Sequence, residues 1–483
     1  MGGDGAAMAT DPCFTSATDL AATIRTGERS AVDVVDAYLD RIAARNDRTN
    51  AYVTHLEEAA REQAREADAA AERGEDLAPL HGVPIAVKDL APMAGVRTTY
   101  GSVPLGEHVP ETTAPAVQRL QDAGAIVLGK TNTSEFGHVA VTTNDLFGAT
   151  GNPADTERTA GGSSGGTAAA VADGLAAIGH GTDAGGSVRI PASACGCYGL
   201  KPTFGRVPRT PRPDGLVDAD PFTCTGPITR TVADAALALD VMAGPHPRDP
   251  FSLPADGSYR EALDRDVSDL SVAYSPDFGA FTVDSRIRET VEDALEGFRA
   301  AGMTVEAIDG PLADVWDGAV AAGIDIFRAR VAGTVANSEA AFGVDLGAHR
   351  DDLTPTFRAM VEAGEDVTAP ELAEAAAART AVYDALQDVF AAHDLLVTPT
   401  LGTIPFDKTE MGPEEIDGQP VDPFVGWYLT QPYNMSGHPA ASVPAGTVEG
   451  LPVGMQVAGR RHADGTVLAA SAAFEAERPW QAD

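Results

Sequence analysis

The sequence predicts an α/β fold, and three observations carry that prediction. A strand-like run over 83–87, a helical run over Pro115–Asp122 and a second strand-like run over 125–128 follow one another. The same rhythm returns as a strand over 270–274, a helix over 285–301 and a strand over 303–307. The strand runs are short and almost wholly apolar, as strands are when helices cover both faces of a sheet.

Taken in order, the first stretch, MGGDGAAMATDP, is small and polar. It lacks a basic n-region and an apolar h-region, so no signal peptide is expected; residues 1–12 are expected to be disordered, and Met8 offers an alternative start. Without Ser or Thr at position 6, the myristoylation pattern is not met. Ser30-Ala-Val-Asp33 reads as a capping box, after which Val34, Val35, Tyr38, Leu39 and Ile42 recur at helical spacing. A second helix over 56–73, rich in Ala, Glu and Arg, stops at Gly74, and the two are expected to cover one side of the core.

The strand over 83–87 delivers Lys88 and Asp89. Gly124 ends the helix that follows, and GKTNTSEFGH after 125–128 reads as a loop. Residues 167–173 are helical, and 176–179 form a strand leading into Thr182-Asp183. Beyond the second strand–helix–strand unit come Ala-rich helical stretches over 317–340 and 370–392. A buried strand over 395–397 ends at Pro399, and the acidic stretch 406–423 reads as a surface loop. Residues 441–444 and 453–457, separated by Glu449-Gly450, form a hairpin.

Of 483 residues, 71 are acidic and 34 basic, a net charge of −37. That excludes binding nucleic acid through a basic surface and fits a salt-adapted cytoplasmic protein kept in solution by carboxylates. No apolar run approaches the ~20 residues that span a bilayer. The four cysteines, Cys13, Cys195, Cys197 and Cys224, lack a second paired set or histidines at ligand spacing. Free, buried thiols in a reducing compartment are therefore expected, with no metal site.

Residues 158–203 hold two serines in glycine frames, Ser163 in GGSSGG and Ser187 in DAGGSVR. Glycine lets the chain turn sharply and present N–H groups, and a serine entering a helix sits among unpaired donors that stabilise an oxyanion. A serine nucleophile needs a proton acceptor. His180 is close in sequence, but nothing around it looks like a histidine–acid pair. Lysine is the other acceptor, and the chain has only four: Lys88, Lys130, Lys201 and Lys408. Lys88 ends an apolar strand, where burial lowers an amine's pKa toward that of a base. Lys130 is the rival candidate.

PLHGVPIAVKDL, GGSSGG, GTDAGGSVRIPA and GLKPTFGRVP, with QPYNMSGHPAASVPAG and GLPVGMQVAGRR near the C-terminus, resemble the amidase signature family of serine hydrolases. The resemblance runs from Pro79 to Pro227, resumes at the C-terminus, and is weak between Pro245 and Asp394. It implies an α/β/α sandwich around a large mixed β-sheet: one domain over 13–480, with N-terminal helices over 13–78, a catalytic core over 79–230, a variable region over 246–394 and the rest of the core over 395–480. It implies amide hydrolysis by a Ser-Ser-Lys triad with Ser187 as nucleophile, Ser163 as the bridging serine on a cis peptide, and Lys88 as base. It also implies an oxyanion hole of the backbone N–H groups of Ala184, Gly185, Gly186 and Ser187, supported by Asp183 and Arg189 as orienting residues or an ion pair.

Further implications are a small-molecule amide substrate, no cofactor, no membrane partner and, by family habit, a homodimer. Phe327, Phe342 and Met360 can line a substrate funnel, although such residues at helical spacing also form core. The rival reading is the A subunit of a glutamyl-tRNA amidotransferase; TNTSEFGHVAVTTN and the ending FEAERPW look more like free-standing amidases. A nucleotide-binding reading of GGSSGG lacks the GK[ST] of a phosphate loop.

Overall fold

The computed structural model describes residues 11–216 and 223–480. The N-terminal part contains α1 (Ala17–Arg25), α2 (Ala31–Thr49), β1 (Tyr52–His55) and α3 (Glu57–Glu72). Ser30 caps α2 by accepting from the Asp33 N–H, and Asn50 closes it in the left-handed region, φ 53°. Val34, Val35, Tyr38, Leu39 and Ile42 are all buried. Two features went unread in the sequence. Helix α1 is capped from far along the chain: the N–H groups of Ala17 and Thr18 donate to Asp234 at 3.0 and 2.9 Å. Strand β1 is four residues long and pairs antiparallel with the strand carrying Lys130. Of the expected disordered stretch, residues 1–10 lie outside the described residues, while Asp11 Oδ1 accepts from the Cys13 N–H at 3.0 Å.

Then come β2 (Pro84–Lys88), α4 (Pro115–Asp122), β3 (Ile126–Thr131), α5 (Gly165–Ala172), β4 (Ile178–Asp183), α6 (Arg189–Cys195), β5 (Tyr198–Lys201), β6 (Cys224–Thr229), α7 (Val232–Met242) and α8 (Tyr259–Ala262). The stretch expected to be a loop after 128 is strand as far as Thr131, because β3 pairs with both β1 and β2 there. The middle holds β7 (Ser271–Tyr274), α9 (Ser285–Ala300), β8 (Thr304–Ala307), α10 (Trp316–Ala336), α11 (Ser338–Phe342), α12 (Pro355–Glu365) and α13 (Ala369–Ala392). The expected helix over 317–340 is thus two helices, broken at Asn337. The chain ends with β9 (Leu395–Pro399), β10 (Glu415–Ile416), β11 (Gln419–Pro420), α14 (Gln431–Ser436), β12 (Ala440–Val448), β13 (Leu451–Gly459) and α15 (Asp464–Glu477).

Eleven strands form one mixed sheet in the order β1-β3-β2-β4-β6-β5-β12-β13-β9-β7-β8, the core of an α/β/α sandwich. Parallel pairs lie toward the two ends, β2 with β3 and β4, and β7 with β8 and β9, as the two strand–helix–strand units require. The centre is antiparallel, including the β12–β13 hairpin. Its two-residue turn has φ 55° at Glu449 and 80° at Gly450, the left-handed pair that matches strand twist. Stretch 406–423 is not simply surface: Phe406 and Ile416 are buried in a second apolar cluster with Trp427, Tyr428 and Ile190.

Candidate active site

Strand β2 is buried on both faces and ends in Lys88, whose side chain is fully enclosed. Its Nζ donates to Ser163 Oγ at 2.8 Å and to Thr182 Oγ1 at 3.1 Å. Burial pulls the Lys88 pKa down to about 7, and Asp183 opposes the fall. Lys130 is also buried and held at about 8, but its Nζ donates to Ala91 O at 2.6 Å and Thr98 Oγ1 at 2.9 Å and lies 3.4 Å from Asp89. Lys130 is therefore engaged by a carbonyl and a carboxylate, while Lys88, among the described residues, meets hydroxyls alone. His180 is held near 3 by burial and by the charges of Lys130 and Lys88, so it stays neutral.

Ser163 follows a cis Gly162–Ser163 peptide and lies just before α5. The frame needs glycine because of close approach: a Cβ at Gly162 would lie 2.4 Å from the Val141 carbonyl carbon. Ser187 sits two residues before α6, and its carbonyl accepts from the Ser164 N–H at 3.2 Å, which brings it beside Ser163. Among the described residues the Ser187 hydroxyl makes no hydrogen bond. Lys88 and Ser163 are thus joined directly, and Ser187 is adjacent to them in the next turn.

The turn carrying Ser187 is held by Asp183 and Arg189, both fully buried and 3.0 Å apart. Asp183 accepts from the N–H groups of Gly186 at 2.8 Å and Val188 at 3.2 Å, and from both Nε and Nη2 of Arg189. Burial would raise its pKa, but Arg189 and further partners hold it at about 2. Arg189 also donates to Thr430 O, Gln456 Oε1 and Asn434 Oδ1, tying the turn to the C-terminal segment. This corrects one expectation. The Gly186 N–H belongs to Asp183 and is not available to an oxyanion, whereas the N–H groups of Ala184, Gly185 and Ser187 have no partner among the described residues.

Ala184, Gly185 and Ser187 open into a cavity of about 110 Å³. Its walls are mostly apolar: Ile324 and Phe327 from α10, Met360 from α12, Met435 from α14, and Phe424, Val425 and Tyr428. Among the described residues no Asp, Glu, Lys or Arg lines it. His138, also in the wall, is held near 4 by burial and so is neutral; its Nδ1 donates to Glu135 O at 2.7 Å and its Nε2 accepts from the Thr356 hydroxyl at 2.8 Å. Phe327 and Met360 take the expected lining positions. Phe342 does not; it packs against Tyr100 and Phe136 and borders a different cavity.

Thr182, His138, Thr430 and Gln456 were missed in the sequence. Asn434 drew attention only by its place in QPYNMSG. A short polar residue inside a buried strand, such as Gln456 in β13, was the available signal, since a buried amide demands partners. The four cysteines are free and buried, and no cluster of metal-ligating side chains occurs among the described residues.

The sequence model of the family described as Amidase matches residues 33–468. An acylamidase of Rhodococcus erythropolis is 38% identical over 472 residues, covering 96% of each chain. The A subunit of the glutamyl-tRNA(Gln) amidotransferase of Moorella thermoacetica is 37% identical over 484 residues, also covering 96% of each. The crystal structure of a bacterial aryl acylamidase of the amidase signature family superposes with a TM-score of 0.92 at 35% identity over 96% of each chain.

Proposed function

This chain belongs to the amidase signature family of amide-hydrolysing enzymes, and from that premise we propose that it is a free-standing hydrolase of neutral, apolar carboxylic amides. The observation that carries the reading is the enclosed Lys88 amine, held at about 7 and bonded to Ser163 Oγ at 2.8 Å, beside Ser187 at an uncharged cavity. Neutral Lys88 takes a proton from Ser163, Ser163 takes one from Ser187, and Ser187 Oγ bonds to the carbonyl carbon. The oxyanion is received by the N–H groups of Ala184, Gly185 and Ser187, donors worth about 3–4 kcal/mol each in a transition state. Collapse breaks the C–N bond as the relay returns the proton to nitrogen, and the amine departs. Water then adds to the acyl-serine by the same path, releasing the acid and restoring Ser187.

The uncharged cavity supports this reading over that of an amidotransferase component. Glutamine brings an α-ammonium and an α-carboxylate, and a charge leaving water needs a charged or strongly hydrogen-bonding partner. The described lining offers none of opposite charge. A reducing, cytoplasmic setting belongs to the same reading and is supported by four buried thiols.

The test is ammonia or amine release from a panel of amides, with glutamine included. Wild type is expected to hydrolyse apolar amides, and acid quenching is expected to trap an acyl adduct visible by intact mass. Ser187→Ala should lose the adduct and about 10⁴-fold or more in kcat. Turnover surviving in both Ser187→Ala and Lys88→Ala removes the mechanism, and glutamine as the preferred substrate removes the free-standing reading.

A further inference from the structure

Helix α10 carries three glycines, Gly318, Gly323 and Gly333. Glycine weakens a helix interior relative to alanine, so each one asks for a reason. A Cβ built on Gly318 or Gly333 meets nothing within 4 Å. At Gly323 it would lie 2.3 Å from Cε of Met435. Gly323 and Met435 both line the cavity that opens on Ser187. The terminal methyl of Met435 thus rests in the space a side chain at 323 would fill. A thioether side chain is long and unbranched, so its end is the part that yields when that seat is taken.

Among the lining residues Phe424 is 45% exposed, whereas Met435 is 3% exposed and Gly323 is buried. Phe424 therefore marks the mouth, and the Gly323–Met435 contact belongs to the closed floor. In hydrolysis through an acyl-serine the amine must leave, and water must enter, while the acyl group stays bonded to Ser187. The departing group needs the mouth, which leaves the floor to the acyl group.

We propose that the Gly323–Met435 contact sets the depth of an acyl subsite for uncharged acyl chains longer than acetyl. The inference rests on the hydrolase reading above and adds the residue pair that decides acyl length. Gly323→Ala displaces the Met435 methyl into the floor and shortens the subsite; Met435→Ala deepens it. In the double variant the new Cβ has no methyl to displace, so the two changes are not additive.

The experiment measures kcat/KM for the anilides of acetic, butyric and hexanoic acids. Gly323→Ala should lower the hexanoyl-to-acetyl ratio by about tenfold, the scale on which an apolar pocket discriminates methylene groups. Met435→Ala should raise that ratio, and the double variant should stay near the Met435→Ala value rather than fall to the product of the two single effects. Gly318→Ala and Gly333→Ala, in the same helix but without a neighbour to displace, should leave it unchanged. Thermal melts confirm folding, and if Gly323→Ala does not fold, the ratio in Met435→Ala decides. Unchanged ratios in folded Gly323→Ala and Met435→Ala, with every anilide still hydrolysed, overturn the inference and leave the hydrolase standing. A wild type inert toward all three anilides and toward every amide in the panel overturns both.

Discussion

Replacing Lys88 by methionine should stop catalysis and yet make the folded chain more stable below neutral pH. The amine is fully buried, and its described partners are the hydroxyls of Ser163 and Thr182. Its fall from 10.5 to about 7 corresponds to roughly 5 kcal/mol at about 1.4 kcal/mol per pH unit. Below pH 7 the lysine is protonated both folded and unfolded, and the folded chain bears that whole penalty. Between about 7 and 10.5 only the unfolded chain holds the proton, so wild-type stability rises with pH. Methionine exchanges no proton.

Two orphaned hydroxyls should cost about 1 kcal/mol each. The variant is therefore expected to be more stable by about 3 kcal/mol near pH 6, with the advantage gone near about pH 9. Urea denaturation of both proteins at several pH values reads this directly. An advantage independent of pH, or a variant already less stable near pH 6, refutes the claim that Lys88 is a buried amine poised near neutrality. Lys130→Met is the contrasting control. It strips the buried Asp89 of the ammonium 3.4 Å away and should destabilise by about 3–5 kcal/mol.

Three further outcomes are expected. Gly186→Ala puts a Cβ 2.0 Å from Thr430 Oγ1 at φ +128°, so the Ser187 turn must shift; kcat should fall by about 100-fold with the fold retained by circular dichroism. Glu135 is buried and accepts from Ser102 Oγ and from the N–H and hydroxyl of Thr354 at the start of α12. Glu135→Ala should cost roughly 1–3 kcal/mol by chemical denaturation and raise KM, because α12 carries Met360. With 71 acidic against 34 basic residues, the melting temperature should rise from about 0.1 M to about 2 M KCl as self-repulsion is screened. A flat or falling melting curve counts against salt adaptation.

Much of this was legible in the chain because it depends on near neighbours. Alternation, capping and turn residues act over a few positions, and so α2, α4, α9 and the β12–β13 hairpin lie where local pattern put them. The scarcity of lysine and the apolar run before Lys88 pointed to a buried amine without coordinates. Tertiary structure alone decided what depends on distant partners. It separated Lys88 from Lys130 by what each amine meets: hydroxyls for the first, Asp89 and a carbonyl for the second. It gave the Gly186 N–H to Asp183, and it drew Asn434 and Gln456 onto Arg189 from more than 200 positions away. It also seated the Met435 methyl against Gly323. Hydrogen bonds and close packing are settled by which atoms come within a few ångströms, and across such separations a sequence carries no measure of that distance.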